Sequence, residues 1–209
     1  MSPYSSSPLP RLSFLDVIRG VAALWMVVFQ TLDGFGFYDL YASSWFQFGL
    51  NWVRLFWFVS GFSCVLMYRK YSLRRFWLKV ARRFALFTAV GLFLALVVPF
   101  NIDVAQIWFY EAVSSIALNL VFLSVLVCIN RFSVYVASLF VLLTAQVTLP
   151  ISVMFNPLEV LAFMILGCLL ATKEFELNIK NRFLEFLGRH ALVLYVLHFL
   201  IISTKRFIK

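Results

Sequence analysis

Long apolar runs recur along this chain, near residues 12–32, 46–68, 81–100, 107–129, 132–149, 157–172 and 188–204. Short polar or helix-breaking stretches separate them: Asp33-Gly34-Phe35-Gly36, the basic run 69–79, Pro99 with Asn101, Asn130-Arg131, Pro150, Asn156-Pro157 and the mixed-charge stretch 173–187. Runs this long, without strict alternation, predict helices and not the strands of an outer-membrane barrel. A spanning helix takes roughly 20 residues, so the pattern predicts about seven spans, with six or eight as alternatives. The expected fold class is all-α, a polytopic integral membrane helix bundle. It is read as a single membrane domain over 1–209, with a polar tail at 1–11, the bundle at 12–204 and a basic tail at 205–209. Within 174–187, Phe175, Leu177, Ile179, Phe183, Leu184 and Phe186 stand among charges, the pattern of an amphipathic helix lying in a membrane interface.

Composition strengthens this picture. Of the chain, 63% is hydrophobic and only 13% charged, with a mean hydropathy of +0.94. A soluble domain of this size cannot hide so much apolar surface, and 25 Phe, 8 Tyr and 6 Trp exclude a disordered chain. The net charge of +9 reads as loop charge that sets topology, and no nucleic-acid partner is expected. Cys64, Cys128 and Cys168 all sit in apolar runs with no CxxC pair, so neither a disulfide framework nor a metal site is expected. The opening MSPYSSSPLPRL lacks the basic-then-apolar layout of a cleaved signal peptide, so the first span is expected to stay as a helix.

Lys and Arg set the orientation. They flank the second loop (Arg69, Lys70, Arg74, Arg75, Lys79, Arg82, Arg83), mark the fourth (Arg131) and recur in the sixth, while loops one, three and five carry none. The positive-inside rule then predicts a cytoplasmic N-terminus, in an integral membrane protein of the cell membrane. Lys205, Arg206 and Lys209 at the other end run against a seven-span count.

Polar groups inside apolar runs are candidates for function, because a charge in hydrocarbon costs roughly 3 kcal/mol on insertion scales. On a helical wheel Asp16, Arg19, Ala23, Met26 and Gln30 form one stripe of the first span. Asp16 and Arg19, three apart, are placed to pair. The bland reading is an ion pair that only fixes packing. In the second span Arg54 lies deep, and Gly61 leaves room for a close backbone approach. Glu111 and Glu159 open later spans, and an outer polar cluster of Gln30, Arg54, Glu111 and Glu159 is expected. In the last span Gly188, Ala191, Tyr195 and His198 share a face, with His198 near its middle. The basic run 69–83 suits phosphates, of lipid or of a coenzyme.

Three segments together resemble the integral-membrane acyltransferases. RLSFLDVIRGVAALWMVVFQ, residues 11–30, resembles the opening of the acyltransferase family 3 proteins and of the heparan-α-glucosaminide N-acetyltransferase catalytic domain. FWFVSGFSCVLMYRKYSLRRFWLKVARR, residues 56–83, is similar to their FF-x-x-SGF motif with its basic loop and paired-arginine helix start. FLGRHALVLYVLHFLI, residues 186–201, is similar to their closing G-x-x-S-L-x-x-Y-x-x-H helix.

The resemblance implies transfer of an acyl group from acetyl-CoA or another acyl-CoA, across the bilayer, to a glycan or lipid acceptor. It implies that Asp16 and Arg19 organise the first helix and that Gln30 and Tyr41 line the acceptor side with Arg54 and Glu111. Arg75, Arg82 and Arg83 are then the coenzyme contacts, and His198 the remaining base. The sequence departs from both families at their histidines. Gln30 stands at the R-x10-H position and Tyr41 at the one before the A-S-W stretch, and an amide cannot act as a general base. A non-catalytic accessory subunit of a larger membrane complex, built on the same scaffold, is therefore the alternative. Membrane lipids, further copies of the chain or other membrane subunits are the partners expected.

Overall fold

A computed structural model describes residues 13–34, 44–97, 112–129, 131–148, 156–173 and 179–207. Among them are eight helices and no strand: α1 (Ser13–Gly34), α2 (Ser44–Lys70), α3 (Leu73–Val97), α4 (Ala112–Ile129), α5 (Phe132–Thr148), α6 (Pro157–Thr172), α7 (Arg182–Arg189) and α8 (Ala191–Phe207). The all-α expectation holds, and each of the seven apolar runs contains a helix. Among the described residues no helix is long and apolar enough to cross a membrane. The longer helices carry charges, such as Asp16 and Arg19 in α1 and the arginines of α3, while α4, α5, α6 and α8 stop at 16–18 residues.

Three boundaries differ from the sequence reading, each for a local reason. The second loop shrinks to Tyr71-Ser72, and the basic run is divided between the last turn of α2 (Arg69, Lys70) and the start of α3, because Arg, Lys and Leu extend a helix readily once it is started. Ser72 starts it, accepting the first backbone hydrogen bond from Phe76 at 2.8 Å. The amphipathic helix of 174–187 begins only at Arg182, where the Asn181 side chain accepts from the Leu184 amide at 3.0 Å, while 174–178 lie outside the described residues. The run 188–204 is broken at His190, so Gly188 and Arg189 belong to α7 and not to the last long helix.

The described helices fall into two compact units, with α2 divided between them after Phe56. One unit holds α2 from Trp57, α3 as far as Ala95, α4, α5 and α6. Here α6 packs against both α4 and α5, and Tyr135, Phe62, Leu120, Leu123, Met164 and Ile165 are fully buried. Gly61 and Gly167 set its tightest crossing: a Cβ on Gly61 would overlap the Met164 carbonyl, and one on Gly167 the Phe58 carbonyl. Cys168 donates from Sγ to the Gly61 carbonyl across this crossing at 3.3 Å. The close approach expected at Gly61 is thus made, with α6.

In the same unit α4 is inside out by the standards of a water-soluble helix. Ser114, Ser115, Asn119 and Ser124 are buried, while Val121, Phe122, Val125 and Ile129 are exposed. Two of these polar side chains turn back on helix carbonyls, Ser124 to Leu120 at 2.6 Å and Asn119 to Ser115 at 3.0 Å.

The other unit holds α1, the start of α2, α7 and α8. In it α1 packs along α7 and α8. On the predicted stripe of α1, Asp16, Ala23 and Met26 are buried and Arg19 is half-buried, while Phe14 and Val17 on the opposite face are buried as well.

Candidate functional site

The site grows from the crossing of α1 with α7. Gly20, of the Arg-Gly pair, faces the Leu184 carbonyl, and Gly188 faces the Asp16 carbonyl, each so closely that a Cβ would overlap it. Only glycine lets two helix backbones meet this way. The contact brings the first and third of the resembling segments together, although they lie at opposite ends of the chain.

Asp16 sits at this crossing with its side chain only 4% exposed. Arg19 donates from Nη1 to its Oδ1 at 2.9 Å, one turn along the same helix. From α7, Arg189 places Nε 3.7 Å from Oδ2, and its Nη2 donates to Glu185 at 3.2 Å. The result is a chain of alternating charge, Arg19–Asp16–Arg189–Glu185, that balances internally. The two guanidinium groups offset part of the desolvation cost of burying this carboxyl group. The expected Asp16–Arg19 pair is present. The sequence reading missed Arg189 and Glu185, and the signal available was the Gly-Arg step at 188–189, which mirrors the Arg-Gly step at 19–20.

His198 is buried in α8 on the same face as Ala191 and Tyr195, whose ring meets it edge-on with centroids 5.6 Å apart. Nδ1 lies 3.1 Å from the Leu194 carbonyl. A carbonyl only accepts, so Nδ1 carries the proton and Nε2 presents the lone pair. His190 makes the same kind of bond to Phe186, at 2.8 Å, but on an exposed ring.

The remaining predicted residues divide. Arg54 is half-buried in the early part of α2. Arg75, Arg82 and Arg83 are exposed on α3. Tyr41 and Glu111 lie outside the described residues, as does the side chain of Gln30, whose backbone is in α1. The outer polar cluster therefore has only Arg54 and Glu159 described, each in its own unit. Among the described residues no group of three or more His, Cys, Asp or Glu is placed to hold a metal.

Residues 11–178 match the family described as Heparan-alpha-glucosaminide N-acetyltransferase, catalytic. The chain belongs to this family. The match takes in α1 to α6 and so includes Asp16, Arg19 and Gly20. It ends before α7 and α8, which bring Gly188, Arg189 and His198 to the N-acetyltransferase-like scaffold. No curated protein and no solved structure matches the chain.

Proposed function

We propose that the chain is a membrane-embedded acyltransferase with about seven spans and a cytoplasmic N-terminus, in the cell membrane. It takes an acyl group from acetyl-CoA, or a close acyl-CoA relative, on the cytoplasmic side. It passes the group to a hydroxyl or amine of a glycan or lipid acceptor. Family membership supports the reaction class. The inverted α4 supports the setting, because burying serines and an asparagine while exposing Val and Phe suits a helix whose outer solvent is lipid. Length fits three of the helices: α1, α2 and α3, of 22, 27 and 25 residues, reach about 33, 40 and 38 Å at 1.5 Å per residue, against about 30 Å of hydrocarbon, while α4, α5, α6 and α8 reach about 24–27 Å. Their charges then face neighbouring helices or the interface.

The observation that carries the chemistry is His198, a buried imidazole with Nδ1–H engaged by the Leu194 carbonyl and Nε2 left as the basic nitrogen. In the proposed step Nε2 takes the acceptor's O–H or N–H proton as that atom attacks the thioester carbonyl. The carbon–sulfur bond breaks, and the coenzyme leaves as its thiol once the proton is returned to sulfur. The Asp16 chain does not touch the reacting atoms in this scheme and instead holds α1 and α7 in register.

Purified full-length protein, given acetyl-CoA and candidate acceptors, is expected to release free thiol in step with acceptor acetylation. His198→Gln should lower that rate by at least about a hundredfold, the usual scale of a general base, with its size-exclusion profile unchanged. Turnover that survives the substitution removes His198 from the mechanism, and no turnover with any acceptor removes the acyl-transfer reading. Extraction of the cell membranes with alkaline carbonate tests the setting separately, the protein being expected to stay with the pellet.

A further inference from the structure

We infer that one face of α3 is a binding site for an anionic phospholipid, headgroup and acyl chain together. Arg75, Lys79, Arg82, Leu86 and Phe93 follow one another at steps of four, three, four and seven and so form a single stripe, with Arg83 beside it. Arg75, Arg82 and Arg83 are exposed, and half-buried Lys79 is steadied with Nζ 4.4 Å from the centre of the Tyr71 ring. Leu86 and Phe93 continue the same stripe with half or nearly half of their surface exposed.

The charge is uncompensated within the sequence around it. Between Asp39 and Asp103 the chain has no acidic residue, while it carries Arg69, Lys70, Arg74 and the stripe itself. A cationic half that changes to an apolar half within one turn, between Arg82 and Leu86, matches a molecule with an anionic head and a hydrocarbon tail. The stripe runs about 27 Å, slightly more than one leaflet with its headgroups at about 20 Å. A free coenzyme meets the cations but gains nothing from Leu86 and Phe93, so the coenzyme role expected for Arg75, Arg82 and Arg83 fits this face less well. The proposal does not depend on acyl transfer or on His198.

The test is native mass spectrometry of the purified full chain, released from micelles containing equal phosphatidylglycerol and phosphatidylcholine. Retained phosphatidylglycerol is expected to dominate. Each cation neutralised in Arg75→Gln, Lys79→Gln and Arg82→Gln should lower the preference about fivefold, and the triple change should lower it roughly a hundredfold. Arg131→Gln, an exposed cation off the stripe, should leave it unchanged. Leu86→Ser with Phe93→Ser should reduce retention of both lipids. The single variants stand in if the triple variant does not fold. Equal retention of the two lipids, or no loss in the stripe variants, overturns the proposal. Displacement of phosphatidylglycerol by free coenzyme A at equal concentration also overturns it and returns the stripe to a coenzyme.

Discussion

Gly188 meets the backbone of α1 so closely that a Cβ placed on it would lie 3.0 Å from the Gly20 amide nitrogen and overlap the Asp16 carbonyl oxygen. The obstructing atoms are main chain and cannot swing aside. Gly188→Ala and Gly20→Ala must therefore push α1 and α7 apart, at a cost of about 1–3 kcal/mol or more. Stepwise heating followed by size-exclusion chromatography should show both variants losing the folded peak at lower temperature than the parent. Ser13→Ala, which gives up only a 3.5 Å contact to the Ile179 carbonyl, should melt with the parent. An alanine at 188 that melts with the parent would mean that the helices do not cross there.

Among the described residues Asp16 meets two cations, and both are partly exposed, Arg19 at 30% and Arg189 at 46%. Losing either alone leaves the other in place, and each lost pair is screened by solvent. Arg19→Gln and Arg189→Gln are each expected to cost no more than about 1 kcal/mol. The double variant removes both guanidinium groups described at a buried carboxylate and should cost about 3–5 kcal/mol, well beyond the sum. Thermal stability of the four members of this cycle checks it. Strict additivity would show that Asp16 draws its stability from elsewhere.

The α1 stripe was legible in the sequence because its polar residues recur at helical spacing within an apolar run. Its partner was not legible, because pairing between Asp16 and Arg189 is a long-range event with no periodicity to announce it. The basic run was misread as loop for a related reason. Charge density marks a membrane boundary but does not stop a helix, and Arg and Lys are good helix formers. The inversion of α4 escaped notice as well, since serines in an apolar run do not declare which face they turn inward.

At position 30 an amide stands where the R-x10-H pattern of the similar acyltransferase family 3 proteins has an imidazole. Gln30→His restores that group on the Arg19 stripe, and imidazole titrates near pH 6.5, where an amide does not titrate at all. Acetyl-CoA turnover by the variant is expected to rise above the parent by about tenfold or more, with the gain present at pH 8 and fading below pH 6 as the ring protonates. A rate equal to the parent's at both pH values would place position 30 away from the reacting atoms.

Ser72 is exposed at the junction of α2 and α3, beside the highest density of Lys and Arg. In a background lacking Cys64, Cys128 and Cys168, Ser72→Cys is expected to react with a membrane-impermeant maleimide only after the cells are opened. Reaction on intact cells reverses the proposed orientation.

The α1–α7 crossing also has a consequence in time. Asp16 and Arg189 are 173 residues apart in the chain, so at roughly 5–20 residues per second the ribosome supplies the second about 9–35 s after the first. Throughout that interval Arg19, its own neighbour one turn away, is already in place to pair with Asp16. The intrahelical pair thus lets this part of α1 fold and wait with its buried acid already neutralised. The eight residues of α7 are too few for a stable isolated helix, so they gain their shape only on docking against Gly20. In this order of events a late-made segment, α7, closes on the earlier-made α1.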